Sequence, residues 1–304
     1  MRKPGLLIAL VGVMLLAVAR PSRADDLSLI PVDSDAVLGL NWHSLSASQA
    51  WKDLIAPKLA SNPDAMANLD KFKALCGFDP MSTITSVTMG LKGIGQAHPD
   101  GVVVVHGLDK TKSKACFDKK NAEKAPKDAK VTVDGDVVLV TGSDGQTVAF
   151  MFADQSTLLV VVGSQATKDG IAKVAKGGSA LKTSAAFTEL YKKVNTSDTL
   201  WFLINGSAFA GKMPSGVNVK ALFGSVNVTA GVAGDVRARM DSAATATSVT
   251  SMAQSQVQGL SSFVDKIAIT ADGSDVHIVA AMSETKLKSL ASLMGMGASG
   301  GSKP

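Results

Sequence analysis

Of the 304 residues, 31 are Lys or Arg and 26 are Asp or Glu, a formal charge of +5. Four of those cations, Arg2, Lys3, Arg20 and Arg23, lie in the first 24 residues; the remainder balances 27 against 26, which removes the main support for a nucleic-acid partner. The length exceeds the ~150-residue domain prior, and with aromatic residues at 5% the cores of two lobes have to come from Val, Leu, Ile, Ala and Met.

The N-terminus reads as an export signal. Arg2 and Lys3 precede an apolar run from Leu6 to Ala19, and Pro21 with the small-residue site Ser22-Arg23-Ala24 follows. The run has 14 residues, short of the ~20 that cross a bilayer as a helix. Cleavage between Ala24 and Asp25 is therefore expected, leaving no transmembrane segment in the mature chain and a periplasmic or secreted location. In that oxidising setting the two cysteines, Cys76 and Cys116, read as one disulfide. Neither belongs to a C-x-x-C pair, so redox catalysis and zinc binding have no local support.

Val37 to Trp42 is predicted as a short strand, and the spacing from Trp51 to Leu75 as helix interrupted at Pro57 and Pro63. Gly77 and Pro80 stop that helix. Alternation marks a half-buried strand at Val87, Met89 and Leu91, and Val102 to Val105 is a strand apolar on both sides. A lysine-rich helix follows from Lys110. Four strands from Val131 to Gly163 then form an antiparallel meander, with Asp134-Gly135 and Asp144-Gly145 as tight turns. Helices are predicted over Ala166 to Lys176 and Ser184 to Val194.

From Thr199 the order begins again. Leu200 to Asn205 takes the place of Leu38 to Asn41, Ser225 to Val228 that of Ser86 to Met89, and Asp235 to Met240 that of Gly101 to His106. A helix from Ala243 to Phe263 follows, then a hairpin from Ile267 to Met282 around Asp272-Gly273, matched with the Asp134-Gly135 hairpin, and a helix from Ser283 to Leu293. The expected fold class is therefore α+β, a duplicated unit with antiparallel β-sheets and helices packed on one face. Its organisation is a signal peptide over 1–24, a first lobe over 25–195 with the meander at 131–163, a second lobe over 196–294 and a disordered Gly/Ser-rich tail over 295–304.

Catalytic strings occur without the context that makes them work. Gly295 to Gly300 fits the dinucleotide-binding expression and Gly297 to Gly301 a nucleophile elbow, but both lie in the tail, where no strand feeds a helix. Ser179 to Lys182 and Ser283 to Lys286 have serine–lysine spacing without the companion strings of penicillin-recognising enzymes. His43, His98, His106 and His277 are scattered, so neither a metal nor a cofactor is expected.

Two surfaces stand out. Lys110, Lys112, Lys114, Lys119, Lys120, Lys124, Lys127 and Lys130 could meet an anionic polymer or a lipid head group, although Asp109, Asp118, Glu123 and Asp128 are interspersed. In the second lobe, period-two alternation places Asn227, Thr229, Arg237, Arg239 and His277 on the face opposite Val226, Val228, Val236, Ala238 and Ile278. Arg237 and Arg239 side by side could take a carboxylate or phosphate. First-lobe strands such as Val102 to Val105 and Leu158 to Val162 are apolar on both faces and should be covered twice.

With its signal peptide, the Cys-Gly-x-Asp-Pro element at Cys76 to Pro80 and its strand–helix repeats, the chain resembles exported bacterial proteins that carry no assigned activity. The resemblance implies a cell-envelope setting. The expectation is a non-enzymatic envelope protein, a binding or scaffold module for an envelope protein, anionic polymer or apolar ligand. A carrier of lipid, or a hydrolase with residues gathered from distant segments, is the alternative.

Overall fold

In the computed structural model, residues 26–96, 99–122, 129–177, 180–209, 217–260 and 262–293 are described. The expected signal peptide over 1–24, its expected cleavage site between Ala24 and Asp25, and the expected tail over 295–304 lie outside them. The strands are β1 (Ala36–Leu40), β2 (Ser86–Lys92), β3 (Asp100–His106), β4 (Ala129–Asp134), β5 (Val137–Gly142), β6 (Thr147–Phe152), β7 (Thr157–Val162), β8 (Leu200–Asn205), β9 (Val219–Val228), β10 (Val232–Met240), β11 (Lys266–Asp272) and β12 (Asp275–Met282). The helices are α1 (Trp42–Ala47), α2 (Ala56–Ala60), α3 (Pro63–Cys76), α4 (Pro80–Thr83), α5 (Lys110–Ala122), α6 (Lys168–Ala175), α7 (Ala185–Tyr191), α8 (Ala243–Gln256) and α9 (Glu284–Leu293).

Local chemistry accounts for the boundaries. The two prolines that interrupt the helical spacing act as starters: Pro57 and Pro63 occupy the first turns of α2 and α3, where a missing N–H costs nothing. Asn62, Thr167, Ser184 and Ser242 cap α3, α6, α7 and α8 by accepting backbone N–H groups. Gly77 closes α3 in the left-handed conformation, φ 73°. Gly135 and Gly145 have the positive φ that the meander turns require.

All twelve strands join one antiparallel sheet, in the order β11-β12-β10-β9-β8-β1-β2-β3-β7-β6-β5-β4. The two halves of the chain meet where β1 pairs with β8. Outward from that junction the order is β1-β2-β3-β7-β6 on one side and β8-β9-β10-β12-β11 on the other. The place of the hairpin β11–β12 is thus taken in the first half by β6–β7. The Asp134-Gly135 hairpin, β4–β5, extends the edge beyond it, because β7 returns to fill the side of β3 left open after α5.

Register resolves the two faces. One row of directly paired residues crosses every strand: Thr270, His277, Arg237, Phe223, Leu203, Val37, Gly90, Val102, Val161, Ala149, Leu139 and Thr132. Its central members form the main core with Trp201, Val104 and Leu159, covered by Leu27, Ile30, Ile171 of α6 and Leu181. Trp201 lies across Gly39, where an added Cβ would come within 2.0 Å of the indole Nε1, and Tyr191 of α7 meets the ring edge-on at 5.4 Å. On the opposite face, α8 seals a second core of Met240, Ala246, Ile269 and Val276. The fold is α+β with an antiparallel sheet, and its helices lie on both faces, α6 and α7 on one and α8 on the other.

Cys76, at the end of α3, is bonded to Cys116 in α5, with Cα atoms 4.5 Å apart. The bridge ties the helical excursion between β1 and β2 to the crossover that leaves β3. Among the described residues, no helix is long and apolar enough to cross a membrane.

Candidate functional site

Four of the five polar residues singled out in the second half share one face of the sheet. Arg237 and His277 are direct partners across β10 and β12, Arg239 lies two residues along, and Asn227 shares their face on β9. Thr229 falls in the turn after β9, where its carbonyl accepts from the Ala50 N–H at 2.9 Å. The face is not free, however. Arg237 donates to Asp272 at 2.7 Å, and His277 lies 2.8 Å from Asp235. Asn227 accepts from the Thr199 hydroxyl at 3.3 Å.

Arg239 is held more tightly. It donates to the Asp275 carboxylate and, at 3.1 Å, to Glu189 of α7, while Lys193 donates to Asp275 at 2.8 Å. Asp275 is 1% exposed. Burial pushes its carboxyl up, but the hydrogen bonds from Arg239 and Lys193 outweigh that and hold it below the ordinary carboxylate value. Its hydrogen bonds to Asp275 and then to Glu189 raise the Arg239 guanidinium. Both arginines are engaged by carboxylates of their own chain, and the cluster works as a strut fixing the end of α7 to the second half of the sheet. Sequence reading missed Asp275, Glu189 and Lys193; Asp275 was legible only as the residue after a hairpin turn, and the other two come from the first half.

A second polar cluster was not anticipated. The Asp26 carboxylate, 1% exposed, lies 2.6 Å from His106 Nε2 and accepts from the Thr88 hydroxyl at 2.5 Å. His106 Nδ1 is 3.1 Å from the Thr157 hydroxyl. An ionised carboxylate only accepts, so Nε2 donates, and in the neutral ring Nδ1 accepts from Thr157. Carboxylate, imidazole and hydroxyl in sequence form the hydrogen-bond chain of a nucleophilic triad. Thr157 is 4% exposed, though, and sits in the ladder between β3 and β7, so its oxygen offers no approach to a substrate carbonyl. What the chain does is fasten the N-terminal segment to the sheet.

The third feature is the face opposite the main core. The row beside the one traced above reads Ile269, Ile278, Val236, Gly224, Phe202, Leu38, Met89, Val103, Val160, Phe150, Val138 and Val133, apolar in every strand but for one glycine. Beneath α8 it is closed, with Ile269 6% exposed; from Phe202 to Val138 it is only half-buried, and Val133 reaches 56%. The facing residues of the same strands, Val104, Leu159 and Val161, are all at 0%. At the ~4.8 Å spacing of paired strands, the half-buried stretch from β8 to β5 spans roughly 30 Å. Sheet faces left incompletely covered normally carry polar residues at alternate positions, and this one is apolar instead.

The lysine-rich segment forms α5 as far as residue 122; Lys124 and Lys127 lie outside the described residues. Lys110 pairs with Asp136 at 3.1 Å. Among the described residues, no group of three or more His, Cys, Asp or Glu side chains could hold a metal ion. No family model, curated protein or solved structure matches this chain.

Proposed function

We propose that the protein is an exported, non-enzymatic binding module that holds an apolar ligand, with an acyl chain as the best fit, against the half-buried face of its sheet. The observation that carries this reading is the contrast within single strands: Val160 and Val103 are as apolar as Val161 and Val104, yet only the second pair is sealed. Each aliphatic side chain removed from water contributes roughly 1.5–3 kcal/mol. A face of Leu, Val, Met and Phe left incompletely sealed therefore retains a driving force for association that a polar face lacks. Aliphatic and ring carbons without charged or hydrogen-bonding groups suit a flexible hydrocarbon chain, which needs burial rather than directed contacts.

The compatible setting is the periplasm or the exterior. The N-terminal leader, the near-balanced charge left after its removal and the Cys76–Cys116 bridge all fit an oxidising compartment. The test is native mass spectrometry on protein purified from its own envelope fraction, followed by titration of the delipidated protein with a fluorescent fatty acid. A retained lipid and saturable binding are expected. Protein that emerges bare and leaves the fatty acid free in solution would refute the reading.

A further inference from the structure

The cavity on the other side of the sheet has a chemistry of its own. It is an open cleft of about 330 Å³ between the N-terminal segment, the ends of β2 and β3, and α6. Its floor is apolar: Ile30 and Val102, 0% and 3% exposed, with Leu29 and Val174 beside them. The N-terminal wall is fixed rather than draped. Asp26 is tethered to His106 and Thr88, the Ile30 carbonyl accepts from the Leu181 N–H at 2.8 Å, and Pro31 bridges to Ala180.

The rim carries charge in an unequal state. Its carboxylates already have donors: Asp33 takes Lys92 at 2.6 Å, and Asp100 takes the Ser164 N–H at 2.6 Å and its hydroxyl at 2.9 Å. Two donors have no such engagement. The Lys173 ammonium and the Gln165 side-chain amide, both exposed at the cavity lining, have no partner among the described residues. A rim with satisfied acceptors and spare donors selects a ligand that brings acceptors and negative charge.

We infer that this cavity binds a small monocarboxylate, its carboxyl group at Lys173 and Gln165 and its short hydrocarbon body over Ile30, Val102 and Val174. At about 330 Å³ the space lies at the lower end of small-molecule pockets, which suits a medium-length acid better than a full lipid chain. The site is distinct from the apolar sheet face.

Calorimetric titration of the mature chain with hexanoate, 1-hexanol and hexylamine tests it. Hexanoate should bind and the alcohol and amine should bind far more weakly. Lys173→Met, at an exposed position, should weaken hexanoate about 10- to 100-fold, the worth of a hydrogen bond to a charged group. Lys168→Met, at the start of the same helix and paired with Asp134, should change nothing. Val174→Trp should fill the cavity and abolish binding. Equal binding of hexanol, full binding to either the Lys173→Met or the Val174→Trp protein, or no heat with hexanoate would each overturn the assignment. Val160→Asp, on the opposite face, should leave hexanoate binding intact, so failure of the sheet-face reading and failure of this one are read separately.

Discussion

Adjacent residues on one strand offer the sharpest test of the two-faced sheet. Val160 and Val161 of β7 point to opposite sides, Val161 between Val102 and Ala149 in the sealed core and Val160 between Val103 and Phe150 on the half-buried face. Aspartate at 161 forfeits about 1.5–3 kcal/mol of side-chain burial. It also strands a carboxylate without a partner in the core, several kcal/mol more after relaxation. The sum, on the order of 5 kcal/mol or above, rivals the whole stability of an ordinary domain, so Val161→Asp should be largely unfolded. Aspartate at 160 keeps its carboxylate in reach of water and loses part of one valine plus some strand propensity, about 1–2 kcal/mol. Urea unfolding followed by tryptophan fluorescence and far-ultraviolet circular dichroism gives both numbers, and fatty-acid titration of the folded Val160→Asp protein should show binding sharply reduced. Equal destabilisation by the two substitutions would mean that both faces are core, and the argument for an apolar docking face would fail.

Three further outcomes follow from the packing and the charges. The Cys76–Cys116 bridge spans 40 residues, for which loop entropy gives about 4 kcal/mol; the Cys76→Ala, Cys116→Ala protein should lose about that much in urea, and dithiothreitol should bring the wild type down to the same midpoint. Asp275→Asn should cost about 3 kcal/mol, the low end for breaking a buried pair because Arg239 and Lys193 remain partly in water. As the folded carboxyl is depressed, its contribution is present above about pH 4 and is lost as pH falls through the lower folded value; the variant's stability should therefore vary less than the wild type's below that point in acid titration. Gly39→Ala should cost about 1–3 kcal/mol by over-packing, with altered tryptophan emission, since the new Cβ would lie 2.0 Å from the Trp201 ring; an unchanged melting temperature would refute that.

Local signals carried much of the fold. Period-two alternation and Asp-Gly turns placed the meander, Gly77 and Pro80 marked the end of a helix, and the cysteine pair was legible from its number. The strands apolar on both sides could be read directly from Val102 to Val105 and Leu158 to Val162, because burial preference is written residue by residue. Partners distant along the chain were not legible. That Asp275 meets Lys193 and Glu189 approaches Arg239 depends on where α7 lands; that Asp26 meets His106 depends on the N-terminal segment crossing β2 and β3. The halves share one sheet because β1 finds β8, a backbone pairing with no side-chain code. Which of two equally apolar faces is sealed was likewise decided in three dimensions: period two says that both sides avoid water, but only the docking of α6, α7 and the N-terminal segment determines which side achieves it.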